Sequence, residues 1–168
     1  MATSNIAYSS NTTITISPAS LATSSTFVAG RESTQVDNTT NKYIDALVQG
    51  KVTVGTTPTA NTQIVVYVWG ADTSLGTTAL DVLDGTDSAE TLTNTGILYT
   101  TLKQGAVISV TAATSDITYP FAPFSVAALF GHMPKYWGLF VAHNTGVNLN
   151  STSGNHVFAF NGITYTSV

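Results

Sequence analysis

Residues 44–54 read IDALVQGKVTV, and every second position from Ile44 is apolar or glycine: Ile44, Ala46, Val48, Gly50, Val52 and Val54. The interleaved positions hold Asp45, Leu47, Gln49, Lys51 and Thr53. Successive side chains of a strand point to opposite faces, so this period of two predicts a strand of about 35 Å with one face in a core. Gly50 in its middle marks a bend or bulge. GTTPTAN (55–61) reads as a turn, and the next strand is predicted over Gln63–Trp69.

That second strand has no polar face. QIVVYVW sets Ile64, Val66 and Val68 on one side and Val65, Tyr67 and Trp69 on the other, and YWGLFV (136–141) behaves alike. An antiparallel sheet normally leaves one face to water. Two such strands therefore need a second cover, from a long loop or from a neighbouring subunit. The loop available is 70–96, long enough to be unusual inside a compact domain. It carries Asp72, Asp81, Asp84, Asp87 and Glu90, with no basic residue between Lys51 and Lys103.

The densest apolar stretch is 119–146, with five Phe or Trp rings, two tyrosines, three of the five prolines and one formal charge, Lys135. It is expected to build one wall of the fold and to help form a contact with another subunit or a partner. Ile97–Lys103 and Ala106–Ala112 read as a hairpin, with Ile108 and Val110 facing inward. Asn161-Gly162 is a two-residue turn signal, predicting a hairpin that pairs Phe160 with Ile163 and Phe158 with Tyr165. Short strands are expected at Thr13–Ser17 and near Thr26–Ala29, with loops through the rest of 18–41. Residues 1–11 read as a flexible N-terminal arm and 12–168 as a single domain. With eight to ten strands, no long amphipathic helix and no internal repeat, the expectation is all-β: an antiparallel β-sandwich of jelly-roll type.

Composition narrows the function. Hydrophobic residues make up 43% of 168 and charged residues only 8%, about a third of the usual charged share. Thr, Ser and Asn supply the solvation. A net charge of −4, with the cations scattered at Arg31, Lys42, Lys51, Lys103 and Lys135, argues against a nucleic-acid partner, which calls for clustered Lys and Arg. The absence of cysteine excludes disulfides and thiolate chemistry. No run approaches the ~20 apolar residues of a membrane helix, and the first residues show no secretory signal pattern.

Three sets of residues invite a chemical reading. Asp81, Asp84, Asp87 and Glu90 recur every three positions around Gly85. They suit a loop calcium site in residue type but lack the EF-hand order, and a solvated or capping loop is the favoured reading. His132, His143 and His156 lie 11 and 13 apart, without zinc spacing, and no carboxylate follows Asp116 to orient them. No catalytic constellation can be named, and no cofactor or metal is expected. The aromatic set Tyr119, Phe121, Phe124, Tyr136 and Trp137 fits core first, protein interface second and sugar platform third. Alternation alone keeps Tyr136 and Trp137 on opposite faces. The partner-interface candidates are Phe121, Phe124, Met133, Tyr136, Trp137, Tyr67 and Trp69.

AGRES (29–33), VDNTTNKY (36–43) and PFSVAALFGHMPKYWGLFVAHNTG (123–146) resemble small structural proteins of tailed bacteriophages, a similarity spanning most of 20–165. The resemblance implies a β-rich, oligomeric decoration or cement protein of the capsid and supplies no catalytic residues. The expected function is then a non-enzymatic virion protein, made in the host cytoplasm. It would bind the major capsid protein of a phage head as a homo-oligomer, a homotrimer first among these. A carbohydrate-binding module of a fibre or particle surface, and a self-assembling jelly-roll shell protein, remain open alternatives.

Overall fold

The computed structural model describes residues 4–77 and 79–167. In chain order these form β1 (Ser4–Tyr8), β2 (Thr12–Thr13), β3 (Ala29–Glu32), β4 (Val36–Asp37), β5 (Asp45–Thr53), β6 (Thr62–Ala71) and β7 (Ala89–Thr91). A short helix α1 (Thr95–Thr101) follows, then β8 (Lys103–Val110), β9 (Thr118–Ser125), α2 (Val126–Phe130), β10 (Tyr136–His143) and β11 (Val157–Ser167). One sheet has the order β1-β11-β5-β9, with β2 also beside β11; the other has the order β7-β3-β10-β6-β8, with β4 beside β10. From β2 the chain passes between the sheets at each principal strand except from β6 to β8. This is the jelly-roll order, in which strands distant in sequence become sheet neighbours.

The interior is built by the alternation of 44–54. Ala46, Val48, Val52 and Val54 face Ile64, Val66 and Val68 of β6 and Trp137, Leu139 and Val141 of β10. Phe158 and Phe160 of β11 complete the layer. Fully burying each large apolar side chain contributes about 1.5–3 kcal/mol. The β5–β9 register shifts between Val48 and Gly50, which is the irregularity expected at this glycine.

The doubly apolar strands are covered from within the chain. Val65, Tyr67 and Trp69 of β6 and Phe140 and Ala142 of β10 form a second buried cluster with Leu75, Leu83, Leu92, Leu98 and Leu102. The segment between β6 and β8 is thus a strap that lays leucines across the outer face of this sheet. Leucines at irregular spacing lie on it because loop, bridge and helix each present one apolar side chain inward.

Several local readings differ from the structure. The strand expected at Thr13–Ser17 is only Thr12–Thr13, and the one expected near Thr26–Ala29 lies at Ala29–Glu32. Val36–Asp37 adds a strand where a loop was expected. Residues 97–103 are not a strand: Asn94 Oδ1 accepts a hydrogen bond from Ile97 N and starts α1, whose Leu98 is buried. Leu102 lies one turn on and joins the same cover, so helical spacing wins over the β-preference of Thr and Tyr. Residues 4–8 of the expected arm form β1, with Ser4 to Tyr8 paired against Ser167 to Ile163.

Asn161-Gly162 is not a turn. β11 runs straight through it, with Asn161 opposite Leu47 and Gly162 opposite Ala46. The Asn161 side chain donates to Ser9 O, and Gly162 N donates to Ser9 Oγ. A Cβ on Gly162 would overlap the Tyr43 ring, so this glycine serves close packing. Gly162→Ala is expected to destabilise the fold by about 1–3 kcal/mol in denaturant titration, with unchanged secondary structure.

Candidate functional site

The sequence-selected aromatics do not converge on one surface. Trp69 and Trp137 are fully buried, in the second and first clusters respectively, and Tyr67 is nearly so. Both indole Nε1 atoms lack a hydrogen-bond partner, so the rings act as apolar packing. Phe121 and Phe124 stack at 6.2 Å, and Phe121 also meets Phe158 at 5.9 Å. They are half-buried and line a groove between β8 and β9 with Gly105 and Ile108. Met133 is half-buried and packs on the inner core, and Tyr136 is half-buried at the start of β10. As one interface patch the seven residues are separated, because alternation and the strap send them to different layers.

A surface absent from that selection stands out on the other sheet. β1 pairs with the C-terminal half of β11, bringing Ile6 opposite Tyr165 and Tyr8 opposite Ile163. Directly opposed residues share a sheet face, and Phe158 and Phe160 occupy the inner face of β11. Ile6, Tyr8, Ile163 and Tyr165 therefore stand together on the outer face. Ile6 is 60% exposed and Tyr8 and Tyr165 each 65%. Residues 4–30 and 136–167 contain no Asp, Glu, Lys or Arg, so the strands that build this patch are without formal charge. The sequence signal is the repeat Ile-x-Tyr at 6–8 and 163–165; joining its two copies requires the pairing of the chain's ends.

The acidic strap residues are tied down by the chain itself. Arg31 Nε donates to Asp87 Oδ1 at 2.6 Å, and Ser17 donates to Asp87 through both N and Oγ. Partial burial opposes ionisation of Asp87, but the bonds from Arg31 and Ser17 outweigh it and hold its carboxyl below the ordinary range. Thr93 donates twice to Asp81 and lowers that carboxyl too. Asp84 accepts from Thr86 N, and Ser88 Oγ donates to Glu90. Asp81, Asp84 and Glu90 thus bind the strap's own backbone and hydroxyls, and the acidic set opens no helix: residues 89–91 are β7, and α1 is capped by Asn94. Among the described residues no three His, Asp or Glu side chains gather as a metal site.

Glu32, which no sequence pattern singles out, lies at the end of β3 with no exposed surface. Its carboxylate accepts from Gly85 N at 2.9 Å and Asp84 N at 3.1 Å, with Gly85 in the left-handed region at φ 80°. Burial pushes its pKa from 4.5 up to about 7 against those two hydrogen bonds, helped by the charges of Asp84 and Glu90. Gln35 completes the latch: its Oε1 accepts from Leu75 N and its Nε2 donates to Ser74 Oγ.

His143 is fully buried, with Nδ1 3.0 Å from Thr145 Oγ1 and Nε2 3.0 Å from Leu21 O. His156 holds Asn150 O at 2.9 Å. Burial lowers the pKa of both, against the bonds to Leu21 O and Asn150 O. Each ring joins loops around the sandwich ends. No described helix is long and apolar enough to cross a membrane.

Comparison with protein-family models, curated proteins and solved structures gives no match to this chain.

Proposed function

We propose that this chain is a structural protein of a phage particle, a decoration or cement protein that seats on the head as a closed oligomer. The observation that carries this reading is the exposed outer patch of Ile6, Tyr8, Ile163 and Tyr165, built by two strands that carry no formal charge and bordered by Asp45 of β5 opposite Ile163. Exposed tyrosines with adjoining aliphatics are the residue types that anchor protein interfaces. Placed on the open face of a sheet, they suit a broad surface, the major capsid protein of an assembled shell, rather than a small ligand. The homotrimer implied by the phage resemblance is one closed form of the oligomer. The sugar-platform alternative loses its two tryptophans, which are buried.

A contact made chiefly by apolar and aromatic side chains of uncharged strands depends little on ionic strength. Attachment to purified heads is therefore expected to persist through several hundred millimolar salt; release by salt alone would overturn the apolar mechanism. Tyr165→Ser is expected to weaken attachment about 30-fold, on the order of 2 kcal/mol, while its thermal midpoint stays at the wild-type value. Heads that bind the variant and the wild type equally would remove this face from the contact.

A further inference from the structure

We infer that two copies of this chain join through their β1 strands, edge to edge and antiparallel, so that the β1-β11-β5-β9 sheet continues across a two-fold axis. This deepens the reading of a particle-bound oligomer and rests on it for the role, though not for the contact itself.

Among the described residues β1 is the terminal strand of its sheet and pairs with β11 alone. A free strand edge is a template for further pairing, and natural proteins guard such edges with prolines, charges, bulges or short strands. The other edges here are guarded. β9 carries Pro120 and Pro123. β8 starts with Lys103, and at Gly105 the Phe124 ring of β9 lies against its backbone. β7 is only three residues long and includes Glu90. β1, Ser4-Asn5-Ile6-Ala7-Tyr8, has five residues and none of these devices.

Charge selects a second copy as the occupant. The molecule is acidic overall, and Asp72, Asp81, Asp84, Asp87 and Glu90 lie on the strap over the other sheet. Joining copies at β1 brings together strands without formal charge. Contact through the straps would oppose like charges. The pairing also doubles the outer patch, setting Ile6, Tyr8, Ile163 and Tyr165 of both copies on one continuous face.

A two-fold axis normal to the sheet requires one residue to face its own copy, because opposed residues share a face. The candidates at the centre of β1 are Asn5, Ile6 and Ala7. Facing Cα atoms in an antiparallel pair lie about 4.5–5.5 Å apart, inside the span a disulfide bridges. Tyr165, one strand further in on each side, would be about 14 Å from its copy.

The absence of native cysteine makes single replacements clean probes. Asn5→Cys, Ile6→Cys, Ala7→Cys and Tyr165→Cys are oxidised mildly and run without reductant, with native mass measured on the unmodified chain by light scattering. One of the three β1 variants is expected to give at least tenfold more crosslinked dimer than Tyr165→Cys, and the native mass an even number of chains. Crosslinking at Tyr165→Cys alone would mean face-to-face packing and overturn edge pairing. A trimer without β1 crosslinks would overturn it too, while leaving head attachment and the proposed function standing. A monomer at every concentration, still attaching to heads, would also sink this contact and leave the shell-binding face.

Discussion

Trp137→Ala is expected to lower the stability of this protein by about 3–5 kcal/mol, the cost of removing a large ring from a packed interior. Trp137 has no exposed surface and meets Phe160 edge-on with ring centroids 5.2 Å apart. In a domain of this size each kcal/mol moves the thermal midpoint by roughly 2–4 °C, so the loss is of order 10 °C or more. Trp137→Phe is expected to cost far less. It retains a ring against Phe160 and removes an indole N–H that has no partner, a group whose burial costs about 1–3 kcal/mol. Calorimetry on the two variants checks this, alongside their native mass. If Trp137→Ala changed the mass and left the midpoint in place, Trp137 would be an interface anchor. The contrast with Tyr165→Ser, which should impair attachment without affecting the midpoint, separates inner and outer aromatic surfaces.

The fold class was legible because its signals are local. Alternation along 44–54 depends only on neighbours in the chain, and the doubly apolar runs at 64–69 and 136–141 announce a covered sheet. Which of two possible covers is used was not local. Leu75, Leu83 and Leu92 are separated by polar loop residues, and only the folded strap brings them over Trp69 and Phe140. The same limit misdirected the reading of Asn161-Gly162, since the partner that explains Gly162 is Tyr43, far back in the chain. Turn chemistry and close packing both select glycine, and sequence spacing does not separate them.

The interface candidates failed to converge for a related reason. Aromatic density marks burial and contact alike, and in this chain most of the density went to burial. The outer patch uses few residues, Ile6, Tyr8, Ile163 and Tyr165, split between the two ends of the chain. Jelly-roll topology places first and last strands side by side, so the ends become one surface. Knowing the class of fold was thus insufficient without strand order, and strand order is set by long-range pairings. Together with the unguarded edge of β1, the two ends carry both proposals, the surface offered to a shell and the junction between copies.

Glu32→Gln is expected to leave stability almost unchanged near pH 5 and to raise it at pH 8. The folded-state pKa of Glu32, about 7, lies above its ordinary value of 4.5, so the native state binds the proton more tightly than the unfolded chain. That stabilisation is fully present below pH 4.5 and is lost as pH rises through 7, up to about 3 kcal/mol for a shift of this size. Glutamine resembles the protonated acid in shape and neutrality, and can still accept from Gly85 N through its one oxygen. His143 and His156 act in the opposite direction. Their folded pKa values lie below the ordinary 6.5, so their contribution is present above 6.5 and is lost as pH falls. Between pH 5 and 7 the two trends oppose each other in the wild type, while the Glu32→Gln variant keeps the histidine trend alone and gains stability throughout that window. Denaturant titrations at a series of pH values on both proteins check this, since their difference isolates the carboxyl. Parallel curves would show that Glu32 ionises without penalty and that its two backbone hydrogen bonds outweigh its burial. A difference that grows from pH 5 to pH 8 would place the strap, and the covered face beneath it, under the control of one buried acid.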